Sequence, residues 1–209
     1  MKPSVPDLSH ERDLVSRYGL PFIAIDEAGR GPLAGPLSVS GVLVEDLADL
    51  LIVKGINDSK KLSEARREKL FTELTAKLNF KNILISPGEI DELGLTKCLH
   101  KAANSVINFH LPKSPNFIML DGKHDYIKHG VLKTFTIVKG DGACLSIAVA
   151  SIHAKVSRDR VMTDLDKVNP GYGFSRNKGY GTLEHREAIA NMGLSSAHRK
   201  SFTEKFVNE

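Results

Sequence analysis

Cysteine is scarce: Cys98 and Cys144 are the only two, and neither sits in a Cys-x-x-Cys or Cys/His ligand spacing. A disulfide scaffold and a structural zinc site are thereby excluded. The histidines never form His-Glu-x-x-His, the helical pair of a zinc hydrolase. No apolar run approaches the roughly 18 residues that a membrane span needs. The opening MKPSVPDLSHERDLV is charged where a signal peptide is apolar. Neither the P-loop spacing G-x-x-x-x-G-K-[ST] nor G-x-G-x-x-G occurs, which counts against a nucleotide-binding module. Internal repeats and low-complexity tracts are also missing. The expectation is a soluble cytoplasmic protein with reduced thiols.

What remains is an ordinary globular composition: 209 residues, 41% hydrophobic and 26% charged. A chain of this size hides roughly 70% of its unfolded surface and needs no covalent staple. Twenty-nine Lys and Arg against 25 Asp and Glu give a net charge of +4. That excess permits an anionic partner without demanding one.

Residues 1–20 are polar, with Pro3 and Pro6, and read as a loosely attached lead-in holding one short helix around Glu11–Tyr18. A single domain spans 21–209. Phe22 to Asp26 is an apolar run ending in acids, as in a buried strand. Leu37 to Val44 is a second strand, and the short glycine- and proline-rich link between the two predicts an antiparallel hairpin. Further strands are predicted over 82–86, 116–121 and 134–138. Ser63 caps a helix to about Leu78, with Leu62, Leu70, Phe71, Leu74 and Leu78 as its apolar stripe. Ser86-Pro-Gly-Glu89 reads as a capping box, and another helix is predicted over 96–109. Residues 145–168 lack Gly and Pro and form a long helix. Short helical pieces, 183–192 among them, fill 170–209. The alternation predicts an α/β fold whose sheet is mixed, because it opens with a hairpin.

Two predicted strands end in acids, Asp26-Glu27 and Asp121, at the rim where open α/β sheets place ligands. Either acid alone is read equally well as a turn residue. On the long helix, Ser151, Lys155 and Asp159 share one face at four-residue spacing, although Lys155–Asp159 is also an ordinary ion pair. Several carboxylates brought to one rim repel, and a divalent cation removes that repulsion. All-oxygen ligation selects Mg²⁺ or Mn²⁺, with chemistry at phosphorus. Gly29-Arg30-Gly31 brings backbone N–H groups and a cation within reach of a sugar or phosphate, or is simply a tight turn. Basic clusters at Lys54, Lys60, Lys61, Arg66, Arg67 and Lys69, at Lys123, Lys128, Lys133 and Lys139, and at Arg199, Lys200 and Lys205 are solvated faces singly and together could form a phosphate track. Tyr180, between glycines, has a ring free to stack on a sugar or base, or to pack. His153 reads as a packing or surface residue.

Six blocks now carry a resemblance. Asp26-Glu-Ala-Gly-Arg-Gly-Pro-Leu-Ala-Gly-Pro36, Asn57-Asp-Ser-Lys-Lys-Leu62, Leu120-Asp-Gly122, Ala150-Ser-Ile-His-Ala-Lys-Val-Ser-Arg-Asp159, Lys178-Gly-Tyr-Gly-Thr182 and His198-Arg-Lys-Ser-Phe202 resemble the motifs of ribonuclease HII, in that family's order, over roughly residues 20–203. The resemblance implies a ribonuclease H-like fold: a five-stranded mixed sheet flanked by helices, with a helical C-terminal portion from about 170. It implies an endonuclease that hydrolyses the RNA strand of RNA–DNA hybrids and nicks duplex DNA 5′ of an embedded ribonucleotide. The products carry 3′-hydroxyl and 5′-phosphate ends, chemistry that serves ribonucleotide excision repair. Two metal ions, Mg²⁺ or Mn²⁺, would be held by Asp26, Glu27, Asp121 and Asp159. Substrate would be met by Gly29, Arg30, Gly31, Lys60, Lys61, Ser151, Lys155 and Tyr180. The 2′-hydroxyl would fall to the glycine-arginine-glycine element and the junction to Tyr180. A monomer that binds nucleic acid and no membrane is expected. Two departures, Val149 within the helix block and no proline before His198, touch no implied ligand. Rival readings are a resolvase- or integrase-like nuclease, separated by an all-DNA substrate, and a catalytically silent hybrid binder, separated by metal dependence.

Overall fold

The computed structural model describes residues 5–127 and 130–207, with side chains as far as residue 204. Helix α1 (Ser9–Tyr18) leads into strands β1 (Phe22–Ala28) and β2 (Leu37–Val44). Helix α2 (Glu64–Thr75), strand β3 (Asn79–Ile85) and helices α3 (Pro87–Leu93) and α4 (Leu95–His110) follow. Strands β4 (Phe117–Asp121) and β5 (Lys133–Ile137) come next. Helices α5 (Leu145–Val168), α6 (Phe174–Asn177), α7 (Leu183–Met192) and α8 (Lys200–Val207) close the chain. Local signals explain the boundaries. The Ser63 side chain accepts from Arg66 N–H, and Ser86 with Glu89 makes the reciprocal box at α3, so the first-turn donors are satisfied.

The sheet has five strands in the order β3-β2-β1-β4-β5. β1 pairs antiparallel with β2, and β2 with β3, while β1–β4 and β4–β5 run parallel. The mixed sheet expected from a leading hairpin is therefore present. Side chains alternate across β1 as strand geometry requires. Phe22 and Ala24 face a core built with α5, while Ile23 and Ile25 face one built with α4. A third cluster joins Leu33 and Ala34 to Met162, Tyr172, Phe174 and Ile189, which fastens the C-terminal helices to the loop after β1. Among the described residues, no helix is long and apolar enough to cross a membrane.

The lead-in is not loosely attached where it is described. Leu8 and Leu14 belong to the α5-side core. Glu11 is fully buried, and its Oε1 accepts from Ser146 N (2.8 Å) and Oγ (2.7 Å), so α1 satisfies the first turn of α5. A polar composition hid this anchor because the few apolar residues, Leu8 and Leu14, are joined by a buried glutamate. Pro3 lies outside the described residues.

Candidate active site

Strand pairing fixes the first two carboxylates. Ile25 pairs with Leu120, so the next residues, Asp26 on β1 and Asp121 on β4, leave adjacent parallel strands at one rim. The sequence reading ended the first strand at Asp26, whereas β1 continues to Ala28 and holds Asp26 and Glu27 rigidly. A cleft of about 450 Å³ opens there. Asp26, Glu27, Asp121, Gly29, Arg30, Gly31, Lys60, Ser151, Lys155 and Tyr180 all line it, brought together from β1, β4, α5 and three loops.

The electrostatics are those of crowded acid. Asp26 is 4% exposed. Burial, and then the charges of Glu27 and Asp121, hold its carboxyl well above the usual carboxylate range. The Ser151 hydroxyl and the Glu27 N–H (2.8 Å) oppose that shift only in part. Burial also raises Glu27, against hydrogen bonds from the Tyr126 hydroxyl (2.9 Å) and Arg30 (3.1 Å). Asp121 is raised by burial and then by Asp141, while Gly140 N–H donates to its Oδ1 at 2.6 Å.

Asp159 stands apart. It does not line the cleft; its carboxylate is 2.6 Å from Lys155 Nζ and 3.9 Å from Arg67. Its charge is answered by side chains, as Glu27's is by Arg30, whereas Asp26 and Asp121 make no ion pair among the described residues. Among the described residues, no group of three or more His, Cys, Asp and Glu is preassembled as a metal cage.

Lys60 and Lys61 divide. Lys60 lines the cleft and pairs with Asp141 at 3.0 Å, whereas Lys61 lies outside it, 3.9 Å from Asp58. Tyr180 is 47% exposed at the cleft wall, a half-buried ring with one face open to the cleft. Its backbone is tied down by a relay that sequence reasoning missed. His198 Nδ1 accepts Ser195 N–H (2.9 Å), which puts the His198 proton on Nε2, 3.1 Å from His185 Nε2. His185 is then left to donate from Nδ1 to the Tyr180 carbonyl at 2.9 Å. Burial and the neighbouring His185 push His198 down to about 4, so the relay is neutral at physiological pH.

Asp141 and Tyr126 were missed, with proximity to the motifs as their only signal; Ser59 and Arg158 lie inside two of the six blocks without having been given a role, and Arg67 was counted only in a basic face. The phosphate track is corrected at two places: Arg199 is fully buried instead of solvated, and the Arg67 side chain, 13% exposed, turns inward to Asp159. Lys128 and the Lys205 side chain lie outside the described residues. His153 is packed as expected, stacked between Phe71 and Phe80 at 4.7 and 4.2 Å.

Comparison with known proteins gives the family and the fold. The family model for Ribonuclease HII matches residues 23–205. A ribonuclease HII of Cereibacter sphaeroides is 44% identical over 202 residues, covering 97% of this chain and 93% of that protein. One of Campylobacter concisus is 48% identical over 181 residues, covering 87% and 92%. Among solved structures, ribonuclease H2 from Pyrococcus horikoshii superposes with a TM-score of 0.74 at 26% identity, over 91% of this chain and 100% of that one. Bst-RNase HIII, solved in complex with Mn²⁺, has a TM-score of 0.72 at 20% identity over 90% of this chain and 70% of that one, a likeness of fold alone.

Proposed function

Since this chain belongs to the ribonuclease HII family, a family of type 2 ribonuclease H endoribonucleases, we propose that it cleaves the RNA strand of RNA–DNA hybrids and nicks duplex DNA 5′ of single embedded ribonucleotides. The observation that carries this reading is Asp26: a buried carboxylate facing Glu27 and Asp121 with too little positive charge beside it, in a cleft shared with Gly29–Gly31 and Tyr180.

The donor set fits hard dications, being oxygen only and under-neutralised. Asp26, Glu27, Asp121 and Asp159 would hold two Mg²⁺ or Mn²⁺ ions. Such ions, when bound, lower the pKa of an attacking water and neutralise charge on the departing oxygen. Asp159 would join by exchanging Lys155 for metal. The chain itself supplies position. Ser151 and the Glu27 N–H orient Asp26, and Tyr126 orients Glu27. The Gly29–Gly31 backbone meets the ribose 2′-hydroxyl, and Tyr180 offers a half-exposed ring for stacking on the neighbouring sugar. Lys60 and Lys155 would meet phosphate oxygens in the cleft and Lys61 one beyond it, and the resulting ends are 3′-hydroxyl and 5′-phosphate. The protein would act as a cytoplasmic monomer, with both buried cysteines free.

The test is nicking of a duplex carrying one ribonucleotide by Asp121→Asn in Mg²⁺. A partner that merely orients a ligand is worth 10–100-fold, so loss of a ligand itself should cost at least about a hundredfold. Near-normal turnover would remove Asp121 from the metal set, and equal cleavage of all-DNA duplex by the wild type would favour the resolvase-like reading.

A further inference from the structure

Two arginines that the proposed chemistry does not use stand at the cleft, Arg158 in its lining and Arg199 behind the Gly29–Arg30 loop. Arg158 and Arg199 are 1% and 0% exposed. A buried guanidinium is expensive unless its donors are satisfied. All six hydrogen bonds recorded from this pair end on main-chain carbonyls. Arg158 donates to Pro36 O (2.8 Å), Ala34 O (3.0 Å) and Lys178 O (2.8 Å). Arg199 donates to Gly29 O (2.7 Å), Arg30 O (3.3 Å) and Gly35 O (2.9 Å). Burial, and then Arg158, push Arg199 down to about 10, which still leaves it charged at neutral pH.

The choice of carbonyls has a geometric consequence. Among the described residues the one cis peptide is Leu20–Pro21, so the Gly29–Arg30 and Arg30–Gly31 peptides are trans. In a planar trans peptide, C=O and the following N–H point in opposite directions. Pinning Gly29 O and Arg30 O onto Arg199 therefore turns the Arg30 and Gly31 N–H groups away from it. That is the side on which both residues line the cleft. Among the described residues, neither N–H finds a protein acceptor. The space beyond Gly31 is open as far as the Tyr180 ring, 4.0 Å from where a Cβ would stand.

We propose that Arg199 is a positioning residue: by gripping the Gly29 and Arg30 carbonyls from behind, it aims the Arg30 and Gly31 N–H groups into the cleft as a two-donor seat for the substrate's ribose 2′-hydroxyl oxygen. This rests on the function proposed above and explains how the seat is held. Lysine cannot replace the planar fork, since a single ammonium is a point charge that does not span three carbonyls.

Arg158 is the matched control: it lines the cleft and packs under Gly29 and is equally buried and bonded, but its hydrogen bonds go to carbonyls outside those two peptides. Dissociation constants are to be measured in EDTA, where nothing is cleaved, for a duplex with one ribonucleotide and for the all-DNA duplex. Arg199→Lys should shrink the wild-type preference for the ribonucleotide about tenfold, the scale of one or two hydrogen bonds. Arg158→Lys should lower Tm comparably and keep the preference within about twofold. An unchanged preference in Arg199→Lys overturns the proposal, whatever its Tm. If Arg199→Lys does not fold, amide NMR of the wild type decides: the Arg30 and Gly31 resonances should move more with the ribonucleotide duplex than with all-DNA duplex, and equal shifts overturn it. A wild type that binds both duplexes alike refutes the underlying function instead.

Discussion

At neutral pH and without metal, Asp26 is a carboxylate that the fold would sooner protonate. A carboxyl raised above its unfolded value contributes stability that is complete below the unfolded pKa, and that contribution is lost as pH rises through the folded one. Asp26→Asn should therefore raise the Tm of the metal-free protein at pH 7. The gain should fade as pH falls toward 4, where the wild type is protonated as well. Each 1 kcal/mol appears as roughly 2–4 °C in a chain this size. Thermal melts in EDTA across pH check it, and a lower Tm for Asp26→Asn at pH 7 would mean that the charge is already compensated. The acids themselves were legible from strand ends and motif order. The compensation of Asp159 by Lys155 and Arg67 was legible only by half: the four-residue spacing announced Lys155, but Arg67 comes from another helix.

The long helix α5 is tied to the sheet through a histidine. His153 is stacked between Phe71 of α2 and Phe80 of β3, and its Nδ1 lies 2.9 Å from the Ser40 hydroxyl of β2. Burial lowers its pKa to about 4. For a base depressed below its unfolded 6.5, stability is complete above that value and is lost as pH falls from 6.5 toward 4. The full loss is about 3 kcal/mol. His153→Phe keeps the stack and removes the titration, so its Tm should fall less than the wild type's between pH 6.5 and 4.5. Parallel slopes would show that His153 is wet. Most elements were readable because capping and periodicity are local. The attachment of α1 was not, since Glu11 reveals itself only against Ser146, 135 residues away.

Over the whole molecule, a modest net charge of +4 is unevenly used. Acids crowd the cleft, Arg158 lines it with Arg199 behind the Gly29–Arg30 loop, and Lys60 and Arg30 stand at its edge with side chains 77% and 56% exposed. The Lys60–Asp141 pair joins an exposed lysine to a carboxylate only 9% exposed, so removing the lysine leaves a buried charge unanswered. Lys60→Ala should accordingly lower Tm, most at pH values where Asp141 must stay charged. It should weaken ribonucleotide-containing and all-DNA duplexes alike, and reduce the slope of log affinity against log salt by about one phosphate's worth. Fluorescence anisotropy titrations at several salt concentrations test this. A loss confined to the ribonucleotide duplex would make Lys60 a reader of the sugar instead.

Caps, alternation and short motifs act over a few residues, and they made the mixed α/β sheet, the helix starts at Ser63 and Ser86 and the crowded acids readable from the sequence by itself, although α2 stops at Thr75, short of the Leu78 expected. Only the tertiary structure decided which charges are left bare and which are answered. Asp26 meets Asp121 through strand pairing, Tyr180 is held through two distant histidines, and Arg199 reaches back to Gly29 across 170 residues. Charge and hydrogen bonding depend on distance in space, and that distance exists only once the chain has closed on itself.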